Sequence, residues 1–375
     1  MRWRSQLILG SLICFLILQA SSYLPPSQDQ ETLMVEQLLK QKESAVRERD
    51  SARFLALIDP DNRFYIQEQK RWFADAIKVM EPGSYSLTLL YVKSRQKDRL
   101  QVVVKQSYRQ NGKSYVLQMP LVIRKTKKGW KESDLPFFKL KSDQVQVLYT
   151  TPSLEESAYI ALDTIKRALY VMKHHHQWQA KKVEVKLYHD SELFRQSVKP
   201  SLPAWSGGWN EAGQAIKMVV NRHHPKLFAS GLVHELVHQM VSDLTNDNAA
   251  YWLQEGAAMY YETHLLPGLH EELPPVEGTL RAKYSYSDLK KLDLEKLPDQ
   301  EATQYYLSCY QLFRFLVSEY GEEKIKSVFA ALKKYPYLDL DSNRKKELLN
   351  ARTEKAFQQV LKTQNLEREW NKKEK

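Results

Sequence analysis

Two neighbouring stretches constrain this chain more than any other feature: SGLVHELVHQMVSD at 230–243 and AAYWLQEGAAMYYETH at 249–264. In the first, Leu232, Val233, Leu236, Val237, Met240 and Val241 recur at helical spacing, which predicts a buried helix. His234 and His238 lie four positions apart, so on that helix their rings differ by roughly 40° about the axis and by one turn along it. Both imidazoles can then face one ion. Zinc takes histidine nitrogens at about 2.0–2.1 Å, and a catalytic zinc keeps three protein ligands and a water. Glu255, 17 positions after His238, is the candidate third ligand. Gly256, Ala257 and Ala258 follow it and let one helix approach another closely. The polar run 243–248 can turn the chain between two antiparallel helices, with Asn248 or Asp247 as N-cap of the second. Glu235, beside the first histidine, can reach the water and take its proton. An ordinary helix with two half-buried histidines and a surface glutamate would spell the same pentamer, so the downstream glutamate is what makes the pattern specific.

HELVH followed by WLQEGAA resembles the gluzincin zinc metallopeptidases, in particular the compact bacterial branch called peptidase MA-like. The resemblance covers about 150–375 and is sharp only at these two motifs. It implies a mainly helical zincin-like domain with a small sheet, one Zn2+, His234, His238 and Glu255 as its ligands, and Glu235 as general base. It also implies that the strand before the first motif, Ala215 to Asn221, is an edge strand that lines the cleft and pairs with extended substrate. Gly207, Gly208 and Gly213 nearby would permit close backbone approach. The spacing to Glu255 is shorter than in thermolysin-like or M1 aminopeptidase members. Further on, YLSCYQLFRFLVSEYG at 306–321 resembles a tyrosine-bearing helix of the family. Counting back from Tyr320-Gly321 puts Tyr306 where relatives carry a tyrosine near the scissile carbonyl, and a phenol there can donate to the developing oxyanion. Tyr305 and Tyr310 are the substitutes.

The chain is long enough for two domains, 375 residues. Arg2 and Arg4 precede an apolar run from Leu7 to Leu18, followed by small residues at Ala20-Ser21-Ser22. That pattern is a Sec signal peptide over 1–22, or, left uncleaved, a short membrane anchor. The basic flank puts the N-terminus in the cytoplasm and the rest outside. Cys14 invites a lipoprotein reading, but Ile13 is too bulky in front of it. Only Cys309 remains beyond this segment, so an internal disulfide is excluded. The combination suggests a protein of the bacterial cell envelope, anchored or secreted. A net charge of +11 suits contact with anionic membrane or cell wall, although scattered basic residues are also an ordinary solvated surface. No aromatic–basic interleaving of a nucleic-acid binder is present.

Between these ends the expected class is α+β. A helix over Glu31–Ile58 and another over Phe64–Met80 precede alternating strands at 85–92, 100–108 and 115–124, with Gln-Asn-Gly-Lys at 110–113 as a hairpin turn. Helix, curved antiparallel sheet and a closing Gly129-Trp130-Lys131-Glu132-Ser133-Asp134 resemble an NTF2-like or cystatin-like domain over 23–140. Residues 139–152 read as a linker. The peptidase-like domain is expected over 145–375, opening with a helix capped by Thr151-Pro152-Ser153 and ending at His174-His175-His176, whose charge suits a helix C-terminus. A Pro/Gly-rich loop at 267–278 could rim the cleft.

The expected partner is a peptide or protein substrate. With no G-x-M-E-N signature, an endopeptidase is preferred over an exopeptidase. The pentamer lies in no long apolar segment, which excludes an intramembrane protease. The rival from another class is an envelope binding or assembly protein that retains the zinc site with little or no catalysis.

Overall fold

A computed structural model describes residues 28–269, 282–339, 343–363 and 365–373. The apolar N-terminal run and most of the 267–278 loop lie outside them. No helix among the described residues is long and apolar enough to cross a membrane.

The first domain is α+β. Helix α1 (Gln28–Arg47) and the single-turn α2 (Ser51–Leu55) lead into α3 (Arg63–Val79). The sequence predicts one helix to Ile58. The chain instead breaks at Arg49, φ 59°, because Asp50 serves as an N-cap, accepting from the Arg53 amide. Four antiparallel strands follow in the order β1 (Ser86–Gln96), β2 (Arg99–Gln110), β3 (Lys113–Thr126) and β4 (Gly129–Glu132). Asn111 and Gly112 both have positive φ, the requirement of the tight hairpin turn that joins β2 to β3. Alternation along β2 buries Leu100, Val102, Val104 and Tyr108 against the helices. Two register shifts in β1 bend the sheet's outer strand.

Residues 139–152 are not a connector. They contribute β5 (Phe138–Lys141) and β6 (Val145–Tyr149) to a second, mixed sheet. A short 3-10 turn at Pro152–Leu154, rather than a side-chain cap, starts α4 (Glu155–His175). Then come β7 (Val183–Tyr188), α5 (Ser191–Val198), β8 (Gly208–Trp209) and β9 (Ile216–Val219). The order is β5-β6-β7-β9-β8, with β6, β7 and β9 parallel and both edges antiparallel. The strand before the first motif, β9, is therefore not the sheet edge. The edge is β8, because the chain doubles back through Gly213, φ 76°, before running out as β9.

The rest is helical: α6 (Pro225–Thr245), α7 (Tyr251–His264), α8 (Tyr286–Lys291), α9 (Asp299–Tyr320), α10 (Glu322–Leu332), α11 (Asn343–Val360) and α12 (Leu366–Lys373). One apolar core joins these helices to α4 and the mixed sheet. A second core fills the first domain, but Tyr188, Leu193, Phe194, Val198 and Leu202 of the later segment belong to it. Helix α5 thus plugs the first domain's sheet. At this junction Lys42 is paired with Glu132 at 2.6 Å, and Lys186 with Glu68 at 2.5 Å and with Asp134. Lys42, Glu68, Glu132, Asp134 and Lys217 line a cavity of about 20 Å³, room for one water.

Candidate metal centre

Helix α6 starts with Pro225 at its first turn, where the missing N–H costs nothing, and ends at Asn246 in the left-handed conformation, φ 53°. Its flanks are apolar all round: Leu232, Val233, Leu236, Val237, Met240 and Val241 are fully buried. The turn into α7 is built by Asn248, whose side-chain amide donates to the carbonyls of Thr245, Asn246 and Tyr335. Neither Asn248 nor Asp247 caps α7. That place falls to Ala250, since the Asn248 side chain is spent on the turn itself. Residues pair across α6 and α7 as His238 with Glu255 and His234 with Glu262, so the helices run antiparallel. The close approach permitted by the small residues is to α9. A Cβ on Gly256 would stand 2.5 Å from the Cys309 carbonyl oxygen and 2.9 Å from Phe313 Cβ.

The donor atoms of His234, His238 and Glu255 converge, and among the described residues theirs is the one group of three or more acid, histidine or cysteine side chains able to share an ion. The His234 and His238 Nε2 atoms are 3.1 Å apart, and Glu255 Oε2 is 3.4 Å from each. A tetrahedral ion with bonds of about 2.0–2.1 Å separates its ligand atoms by about 3.3–3.4 Å. The triangle has the edges of one face of that tetrahedron. Glu255 Oε2 is buried and makes no aligned hydrogen bond, although it faces both rings. A buried carboxylate oxygen left so is expensive unless a cation completes it. Two imidazoles and a carboxylate with one open corner are also the donor set that suits zinc. The residues present therefore fit the ion.

With the side chains alone, burial opposes charge on His234, but the close carboxylates of Glu255 and Glu262 outweigh it and push its pKa well above the usual histidine value. Burial likewise opposes charge on Glu255. The His238 charge and the contacts with both rings outweigh that, holding it down to about 2.

Glu262 was not among the sequence-derived candidates. Its Oε2 lies 3.0 Å from His234 Nδ1, and its Oε1 accepts from the Ser230 hydroxyl. A carboxylate at Nδ1 favours the tautomer with the proton on that nitrogen, which would leave Nε2 to an ion. A signal existed: Glu262 is seven positions after Glu255, two turns along the same helix face.

Glu235 is buried beside the triangle, and burial raises its pKa above the ordinary carboxylate value. The edge strand β8 lies directly against it. A Cβ placed on Gly208 would meet Glu235 Oε1 at 2.4 Å. Of the three glycines suggested by the sequence, Gly208 is the one whose missing side chain makes room for the Glu235 carboxylate.

Tyr306, on α9, has its ring 6.0 Å from the His234 ring and 6.4 Å from that of Trp205. Burial and the nearby charges of Glu255 and Glu235 push its pKa well above the usual tyrosine range, so its hydroxyl keeps its proton. Tyr305 points elsewhere, its hydroxyl toward the Leu289 carbonyl. Tyr310 packs toward Tyr260. His223 and His224 stay exposed at the start of α6, and His174 and His175 at the end of α4. His176 departs from the expectation of a charged helix terminus. It is buried edge-on against Tyr261, and that burial pulls its pKa down to about 4.

Comparison with known proteins bears on this half of the chain. The family model described as the Peptidase MA superfamily matches residues 167–340, a little under half of the chain. That span contains the three converging side chains, Glu235 and Tyr306. No curated protein matches the chain. A crystal structure from Novosphingobium aromaticivorans, of a protein proposed to be an aromatic ring hydroxylase, aligns over 30% of this chain and 92% of its own, at 16% identity and a TM-score of 0.24. A likeness that low bears on neither fold nor function.

Proposed function

We propose that this chain is a zinc-dependent peptide hydrolase of the gluzincin type that cuts within polypeptides. The observation that carries the reading is the triangle of His234, His238 and Glu255, edged like a tetrahedral face, with the buried Glu235 carboxylate next to His234 along the same helix. In this reading the three hold one zinc, and Glu262 keeps His234 in its ligand tautomer. The bound ion supplies a Lewis acid that polarises a carbonyl and brings a water's pKa toward ~7. Glu235 takes the proton of the attacking water and returns it to the leaving amine. The Tyr306 hydroxyl donates to the oxyanion as the carbonyl carbon becomes tetrahedral. The β8 edge offers backbone hydrogen bonds to an extended peptide laid across Glu235.

The proposal extends to the rest of the chain. Its first 22 residues carry the pattern of an export signal or anchor, which suits a peptidase acting in a bacterial envelope. The helix-then-curved-sheet order of the first domain supports an NTF2-like or cystatin-like reading. The test is cleavage of a broad peptide library by the zinc-loaded protein, with and without a chelator, beside Glu235→Gln. Internal cuts that vanish with chelator and in the Glu235→Gln protein, with zinc still bound, are expected. A zinc-bound protein that cuts nothing would make it a binding protein instead.

A further inference from the structure

We infer that the N-terminal domain positions the substrate-facing edge strand of the metal centre, and that it does so through one face of α3. This rests on the peptidase reading. Glu68, Arg71, Trp72 and Asp75 are spaced i, i+3, i+4 and i+7, so they share a helix face. All four reach the segment that carries Gly208. Trp72 Nε1 donates to the Gln196 carbonyl at 2.8 Å. Asp75 accepts from the Ser201 amide at 2.8 Å and from its hydroxyl at 2.7 Å. Arg71 pairs with Glu211 at 3.5 Å, and Glu68 accepts from the Ala215 amide and faces Lys217, both at 3.3 Å. The same helix therefore fastens the chain before β8 and after it.

Such fastening is what β8 lacks by itself. It is two residues long, it sits at the sheet edge, and its ladder consists of Gly208 opposite Met218 and Trp209 opposite Lys217. Ordering a loop of this length on two rungs loses more backbone entropy than the rungs return. Trp72, Asp75 and Glu68 are all buried, so their bonds are shielded from competing water. From Ser201 the chain passes Trp205, whose indole donates to the Leu297 carbonyl and whose ring abuts Tyr306. It then reaches Gly208, whose carbonyl accepts from Ser206. Asp75 is a positioning residue by this route, acting on Gly208 through Ser201.

The experiment uses the full chain with Asp75→Ala and Asp75→Asn. Asparagine retains an acceptor for the Ser201 amide, so it is the conservative rescue. Amide hydrogen exchange is read first, on metal-free protein. Exchange over 199–209 should quicken at least about tenfold in Asp75→Ala, which removes both hydrogen bonds to Ser201, while α6 and α7 keep their protection and Asp75→Asn stays near wild type. Kinetics follow on zinc-loaded protein with a peptide chosen from the library. KM should rise about tenfold in Asp75→Ala, with kcat within about twofold and zinc stoichiometry unchanged. Unchanged exchange at 199–209, loosening shared equally by α6 and α7, or failure of asparagine to rescue each overturns the inference. The expected exchange pattern in a wild-type protein that cuts no peptide overturns the peptidase reading instead, and leaves the coupling of α3 to β8 standing.

Discussion

Replacing Gly208 by alanine should separate catalysis from metal binding. The added Cβ would lie 2.4 Å from Glu235 Oε1 and 2.8 Å from Met218 Sδ. Ordinary contact needs about 3.5 Å, so the Glu235 carboxylate must retreat by about 1 Å. Both atoms are at the ends of flexible side chains, and Gly208 has no positive φ that alanine would resist. The stability cost should therefore be small, about 1 kcal/mol. The catalytic cost should not. A base displaced by about 1 Å loses on the order of 10²-fold in rate. The atoms the new Cβ would meet first belong to Glu235 and Met218 and to none of His234, His238 or Glu255, so zinc should remain bound at one ion per chain. The assay is kcat on a library-derived peptide, alongside zinc content and the urea midpoint of the same preparation. Full kcat in Gly208→Ala would refute the reasoning, since Glu235 would then not be working from its observed position. Loss of zinc would refute it differently, by showing that β8 shapes the ligand set.

Two further outcomes follow from named contacts. Glu262→Ala removes the hydrogen-bond partner of His234 Nδ1 and should weaken zinc binding about 10- to 100-fold in a competition titration, with an unaltered affinity contradicting the tautomer role. His176 has a folded pKa of about 4 against an ordinary 6.5, so the unfolded chain takes up its proton first as pH falls. Its contribution is complete above pH 6.5 and is lost toward pH 4, the loss amounting to about 2 kcal/mol by pH 5. His176→Gln should flatten the fall in urea midpoint between pH 6.5 and 5, and an unchanged slope would show that other groups set the acid limit.

The parts legible from sequence share one property: their signals are local. The His234–His238 spacing, the Asn111-Gly112 turn and the alternation along β2 each fit inside a dozen residues. The parts that were missed are made by chain segments far apart. Residues 139–152 read as a linker because β5 and β6 are short, and the parallel pairing of β6 with β7 is closed only across α4. The misassigned edge has the same origin, since β8 is two residues long and gains its place only by folding back on β9. Glu235 and Glu255 could be named from their motifs. The contact of Gly208 with Glu235 exists only once β8 has folded back against α6, and the face of α3 that holds the segment beyond it only after two domains have packed. His176 failed for a related reason: a helix terminus predicts a charged histidine, but Tyr261 buries this one.

The central claim is that one zinc is held by two imidazoles and one carboxylate, with a corner left for water. X-ray absorption at the zinc edge of the one-to-one loaded protein tests it directly. The account predicts four-coordinate zinc with two histidine nitrogens and two oxygens at about 2.0–2.1 Å, one oxygen shell disappearing in Glu255→Ala. Zinc that keeps its spectrum in Glu255→Ala, or that is closed by four protein ligands, would contradict it.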